Sequence, residues 1–317
     1  MTTPPPAHGV RLEWQAVPAH VRAAVESWLG SPIVQVDAQQ GGFSPGVAAR
    51  LRTADDRSVF VKIGGPTPNP GLPDIYRREI RIASALPADA PVPRLLWTHD
   101  EHDWVVLIFD AIDGHQPAQP WVESELSRVV ESLVVLSASL TPSPLQPPIV
   151  PDAREKMDVD ISGWRLLRDE TPPGLDEWSA RHLEKLAILE ASAGAAAVGD
   201  TLIHLDVRAD NMLLTPEKVW FVDWPHACVG AAWIDILFFA PSVTMQGGLS
   251  PEDLIARHPA VQQADPADIT AVVCAIAGFF THRALQPPPP GLPTVRAFQA
   301  AQGVVAREWL AQRTEWT

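Results

Sequence analysis

The sequence predicts an α+β fold in two lobes, and three observations carry that prediction. Short apolar runs separated by turns fill the first third: Ile33–Val36, Val47–Leu51, Ser58–Ile63 and Trp104–Phe109. Longer stretches with helical spacing fill the remainder, among them Glu123–Leu140, Leu175–Val198, Ala267–Leu285 and Thr294–Arg313. Inside the helical part the chain returns briefly to strand-like runs at Leu202–Ile203 and Val219–Val222. Strands followed by helices, rather than alternating with them, point to an α+β arrangement. Residues 1–113 are expected to form a small β-rich lobe with one main helix, and residues 114–317 a larger, mostly helical lobe.

Each element has a local reason. Residues 1–9 are proline-rich and expected to fray. Val17–Leu29 repeats apolar residues at helical spacing (Val21, Val25, Trp28, Leu29) and stops at Gly30. Gly41 and Gly42 lie between two strand-like runs, where a turn usually only reverses the chain but can aim backbone amides at an anion. Val47–Leu51 and Ser58–Ile63 read as a hairpin across Thr53–Arg57. Its second strand carries Lys62, which at a strand end is ordinarily a solvated edge residue. Ile75–Leu86 gives an apolar helix face (Tyr76, Ile80, Ala83, Leu86), with Glu79 beside it among Arg77, Arg78 and Arg81. Trp104–Phe109 is continuously apolar, as a strand buried on both faces would be, and runs into the junction Asp110–Gly114. Thr141–Pro151, with five prolines, is expected to be an extended loop or lid, and Gln286–Pro293 a proline-rich connector. Pro251–Arg257 reads as one further helix.

The chemistry concentrates in Thr201–Ala240. Asp206 follows His204 by two positions, Asn211 comes five residues later, and the apolar run Val219–Val222 ends in Asp223. Two carboxylates and an amide are thus delivered by short strands and a polar loop. A buried charge without a partner is costly, so such a set is expected to hold something positive. Mg²⁺ suits it, since that ion prefers oxygen ligands and often takes one or two carboxylates plus substrate phosphates. A further carboxylate left free of the metal could accept a proton from a hydroxyl nucleophile. Metal-assisted phosphoryl transfer is the reaction this set favours.

The run His204-Leu205-Asp206-Val207-Arg208-Ala209-Asp210-Asn211, followed by Asp223, resembles the catalytic block of the aminoglycoside phosphotransferase family, small-molecule kinases of protein-kinase-like fold. The resemblance implies that Asp206 is the catalytic base and that Asn211 and Asp223 hold Mg²⁺. It implies too that His204 braces the loop and that Asp235, on the next helix, supports it. Lys62 would contact the nucleotide phosphates with Glu79 as its partner, Gly42 would approach a phosphate, and Asp110 and Ile112 would meet the base of ATP or GTP. Three departures stand out: Leu205 where the family usually has Gly, Arg208-Ala209-Asp210 where it often has a His-Pro pair before the Asn, and Trp224-Pro225 after the metal Asp. The implied acceptor is an aminoglycoside-like or other hydroxyl-bearing small molecule, in antibiotic resistance or in metabolism. A catalytically silent nucleotide-binding or scaffold protein of the same fold is the alternative. A protein kinase is disfavoured because no extended activation segment separates Asp223 from Asp235.

Composition narrows the partners. A net charge of −14 argues against a nucleic-acid surface and would favour encounter with cationic small molecules, though a general acidity explains it as well. Acids such as Asp152, Glu155, Asp158, Asp160, Glu170, Asp176 and Glu177 could line an amine pocket, or simply be solvated. Trp121, Trp164 and Trp178 could wall a ring system, or pack. Cys228 and Cys274 have no metal-ligand spacing, and His226 with Cys228 lacks further ligands. The N-terminus shows no signal peptide, and the apolar stretch Ile269–Phe280 is too short to span a bilayer. A cytoplasmic monomer or homodimer with no membrane partner is expected.

Overall fold

The computed structural model describes residues 5–39, 41–170 and 173–317. Five antiparallel strands form one sheet in the order β1-β2-β3-β5-β4: β1 Ile33–Ala38, β2 Val47–Thr53, β3 Ser58–Gly64, β4 Leu95–Glu101 and β5 Trp104–Asp110. Strand alternation assigns its two faces. Val59, Val61 and Ile63 of β3, with Val106 and Ile108 of β5, pack against Val21, Val25 and Leu29 of helix α1 (Ala19–Leu29). Val105, Leu107 and Phe109 turn the other way, onto Leu72 and Tyr76 of α2 (Leu72–Ala83). The unbroken apolar run of β5 is therefore buried on both sides, and α1 ends at Gly30 with the left-handed φ of 66° that glycine tolerates.

The rest is helical: α3 Glu123–Ser139, α4 Ala153–Glu155 running into a π-type turn Lys156–Asp160, α5 Gly163–Asp169, α6 Glu177–Glu190, α7 Ala193–Ala196, α8 Ile234–Met245, α9 Pro251–Ile255, α10 Pro259–Gln263, α11 Pro266–Ala284 and α12 Val295–Thr314. Two small ladders are inserted among these helices. Strand β6 (Thr201–Ile203) pairs with β9 (Cys228–Gly230), and β7 (Met212–Leu214) pairs with β8 (Val219–Phe221). The two strand-like runs expected from the sequence both form, each with a different partner. Among the described residues no helix is long and apolar enough to cross a membrane.

Several expectations need correction. Residues 5–9, expected to fray, are docked: His8 bridges Gly42 and exchanges hydrogen bonds with Thr294, and Val10 N–H donates to Gly291 O. Residues 1–4 lie outside the described residues. The proline-rich loop 141–151 is no lid, because Leu145 and Val150 are buried in the helical core and Ser143 N–H donates to Asp200 O. The helix expected over 175–198 breaks at Ala191–Ser192, between α6 and α7; within α7 Gly194 comes so close to the Asp158 carboxylate that an added Cβ would lie 2.6 Å from it. Residues 153–169, to which the sequence pattern assigns no element, form short helices, and Trp164 there is wholly buried.

One close crossing sets where α11 lies. A Cβ on Gly163 would sit 2.0 Å from Gly278 O of α11, so the backbones of α5 and α11 touch. Overpacking such a contact costs ~1–3 kcal/mol. Gly163→Ala is expected to lower stability by about 3 kcal/mol, the upper part of that range, read as a shift in the urea midpoint at constant slope.

Candidate functional site

Two cavities meet where the sheet faces the helical region. The first, about 430 Å³, is bordered by Gly42, Lys62, Asp110, Ile112, Asn211 and Asp223. The second, about 460 Å³, is bordered by Leu205, Asp206, Arg208 and Asp223 together with residues of α11 and α12. Asn211 borders only the first, Asp206 only the second, and Asp223 both. Every site residue singled out by the sequence lies on these cavities or, as with His204 and Asp235, directly behind them.

Lys62 reaches the junction because β3 alternates. With Val59, Val61 and Ile63 committed to the α1 side, Phe60 and Lys62 face the α2 side, where Glu79 waits. Lys62 Nζ donates to Glu79 Oε2 and, at 2.7 Å, to Asp223 Oδ1. Burial alone would discharge this ammonium, but Asp223 and Glu79 hold its pKa above the ordinary value. Burial pushes the deeper Glu79 carboxyl up to about 7 against the pull of Lys62. Asp223 is also opposed by burial, yet Lys62 holds it well below the usual carboxylate range.

The polar loop after β6 is held from behind by one carboxylate. Asp235, near the start of α8, accepts from the backbone N–H of His204 at 2.9 Å and of Leu205 at 2.8 Å, one oxygen to each. This fixes Leu205 at φ 63°, a left-handed conformation that costs a non-glycine residue ~1–2 kcal/mol. Leu205 is thus held in a backbone conformation that glycine would adopt without strain. His204 adds a second brace: Nε2–H donates to Val222 O at 2.9 Å, and Nδ1 accepts from Asp206 N–H at 3.2 Å. Asn211 Nδ2 donates to Asp206 O at 2.8 Å and to Asp206 Oδ2 at 3.0 Å.

The donor set fits a hard cation. Asn211 Oδ1 and Asp223 Oδ2 take no hydrogen bond from a described residue, and Asn211 and Asp223 both border the first cavity. No group of three or more His, Cys, Asp or Glu is placed to hold a metal among the described residues. Mg²⁺ at this point would complete its shell from phosphate and water oxygens, as it commonly does.

Two arginines extend the site beyond the residues expected. Arg208 pairs with Asp206 through Nη1 and forks onto Asp210 at 3.0 Å through both Nε and Nη2, under the ring of Phe43. Its place inside the loop made it visible in the sequence, though not its double pairing. Arg11 had no signal at all. From the docked N-terminal arm it donates to Ser44 O at 2.5 Å and to Gly41 O, while Ser44 Oγ meets Tyr76 Oη at 2.7 Å. The glycine turn, with φ 92° at Gly41 and 76° at Gly42, is pinned from below by that guanidinium.

Of the acids considered for an amine pocket only Asp160 borders the second cavity, and Lys156 already pairs with it at 2.6 Å. The three tryptophans pack instead: the indole N–H groups of Trp121, Trp164 and Trp178 donate to Gln246, Cys274 O and Trp316 O. Since Asn presents an amide N–H₂ where Asp235 presents an acceptor, Asp235→Asn leaves one backbone N–H facing a donor. That change is expected to cost about 2 kcal/mol in urea unfolding.

Comparison with known proteins now has a geometry to rest on. The model of the phosphotransferase enzyme family matches residues 41–268, more than half the chain. No curated protein sequence matches it significantly. Among solved structures, a thermostable mutant of aminoglycoside phosphotransferase APH(4)-Ia, with AMP-PNP and hygromycin B bound, superposes with a TM-score of 0.61 at 15% identity, covering 95% of this chain and 100% of that one. Choline kinase LicA from Streptococcus pneumoniae gives 0.61 at 14% identity, covering 91% and 100%. A choline/ethanolamine kinase family protein from Mesorhizobium loti gives 0.60 at 17% identity, covering 92% and 94%. These likenesses establish a protein-kinase-like fold, and the family match establishes membership: the chain belongs to the phosphotransferase enzyme family.

Proposed function

We propose that the protein transfers the γ-phosphoryl group of a magnesium nucleotide, ATP or GTP, to a hydroxyl of a small molecule, with Asp206 as the base. One observation carries this reading: Asn211 faces one cavity, Asp206 the other, and Asp223 stands between them. Donor and acceptor would then meet at Asp223. Residues 1–113 would supply most of the nucleotide contacts and residues 114–317 the acceptor contacts. The solved AMP-PNP complex of a relative with this fold supports a nucleotide donor.

Lys62 would orient the α- and β-phosphates, held by Glu79 when Asp223 turns to the metal. The Gly42 amide would approach a phosphate, and the chain from Asp110 to Ile112 would offer its backbone to the base. Mg²⁺, held by Asn211 and Asp223, would neutralise charge on the phosphates. Asp206 would align the acceptor hydroxyl and take its proton while the oxygen bonds to the γ-phosphorus and the bond to the β–γ bridging oxygen breaks, releasing the nucleoside diphosphate. An ionised carboxylate has about four lone-pair sites, so the bonds to Arg208 and Asn211 leave room for the hydroxyl. His204 and Asp235 would hold this loop in place. Positioning and electrostatics would supply most of the rate. Every group named belongs to one chain, so a monomer or a homodimer serves equally, and a cytoplasmic nucleotide pool would supply the donor.

The specific observation favouring a silent binder is the Arg208–Asp206 pair, which occupies one oxygen of the proposed base. Turnover decides between the two. Asp206→Asn is expected to lower phosphoryl transfer by about 10²-fold or more, with nucleotide affinity nearly unchanged, as read by mass spectrometry of the product and nucleotide titration. Asp223→Ala should instead weaken magnesium-nucleotide binding. Wild-type turnover by Asp206→Asn would remove Asp206 from the role of base.

A further inference from the structure

The second cavity has the wrong charge for a polycation. Arg78 of α2, Arg283 of α11 and Arg296 of α12 border it, and none has a carboxylate within salt-bridge distance among the described residues. The acids that do border it, Asp160, Asp206 and Asp223, are already paired with Lys156, Arg208 and Lys62. In a protein of net charge −14, three cations left without an acid around one cavity call for an explanation.

Arg283 and Arg296 are the closest to a built anion site. Arg296 spends Nε on Pro287 O at 3.1 Å and Nη1 on Gln299 Oε1 at 2.8 Å, both neutral acceptors. It stands in the first turn of α12, the end at which the helix dipole disfavours a cation and favours an anion. Burial, then Arg283, lower its pKa from the ordinary value, so the two guanidinium groups sense each other. Among the described residues the Arg283 side chain has only the face of Phe279, 5.6 Å away, as a partner. Beside them Gln302, 2% exposed, borders the cavity with an amide that makes no hydrogen bond among the described residues. An amide carries both donor and acceptor atoms, so a ligand oxygen in the cavity could take a hydrogen bond from it. Five phenylalanines, Phe43, Phe238, Phe279, Phe280 and Phe298, border the same cavity.

We infer that the acceptor is an anionic, ring-bearing hydroxyl compound, its carboxylate or phosphate monoester held by Arg283 and Arg296, its ring by the phenylalanine wall, and its hydroxyl turned to Asp206. The assignment of a hydroxyl acceptor rests on the phosphotransferase reading above; the preference for an anion does not. Arginine forks match both oxyanions, so the two sources of charge are separated by experiment. Aminoglycosides, as polycations, are excluded by the same charges.

The test is isothermal titration of the full chain with Mg-ADP present. The probes are para-(hydroxymethyl)benzoate, its methyl ester, para-(hydroxymethyl)phenyl phosphate and kanamycin. The benzoate or the phosphate is expected to bind at least about tenfold more tightly than the ester, whichever binds better naming the anion. In Arg283→Gln and Arg296→Gln, with unchanged melting temperature, that preference should fall towards one. Equal binding of acid and ester, tighter binding of kanamycin, a preference that survives both substitutions, or no binding by any probe would overturn the inference. Failure of Mg-ADP itself to bind would instead count against the phosphotransferase reading, leaving the acid-to-ester ratio to judge the anion site.

Discussion

One buried ammonium is shared between the two halves of this molecule. Lys62 comes from the sheet, Glu79 from the helix laid on that sheet, and Asp223 from the end of a small ladder in the helical region. Neither carboxylate would be stable there alone, because removing one partner from a buried charged group leaves the other uncompensated. The trio also fixes register. If β3 slipped by one residue, Lys62 would turn into the apolar α1 side, so the pairing and the hydrophobic alternation enforce the same alignment.

The polar loop after β6 shows how an unfavourable backbone conformation can be held. Glycine would take the left-handed backbone between His204 and Asp206 at no cost, whereas Leu205 does so under constraint. Asp235 supplies that constraint through two backbone hydrogen bonds to a charged acceptor, each worth ~1.5–3 kcal/mol. Leu205 gains in turn a partly buried position against the helical core. The loop shape is therefore set by a residue thirty positions downstream more than by the residue that occupies the turn.

What could be read in the sequence was local or periodic. The spacing of His204, Asp206, Asn211 and Asp223 is local, the unbroken apolar run of β5 made the doubly buried strand legible, and Lys62 was singled out by the family resemblance. Glu79 was legible because it sits beside an apolar helix face. What escaped depended on contacts between distant segments. Arg11 lies in a proline-rich arm whose docking onto Gly291 and Thr294 no pattern announces. The close approach of Gly194 to Asp158 joins distant segments, and Arg283 and Arg296 come to border one cavity because α11 and α12 pack together. The acids of 152–177 looked available because composition records charge without its direction, and the fold turns all but Asp160 away from the cavity.

The docked arm has a mechanical side. His8 touches the glycine turn at Gly42 and the start of α12 at Thr294, while its neighbour Val10 holds Gly291 of the preceding connector. It is a tether strung across the mouth between the lobes. Hinge opening that carried the glycine turn away from the helices would have to stretch or release it. The glycine turn and the wall of the second cavity are thus on one leash, so that neither compartment can gape far while the other stays shut.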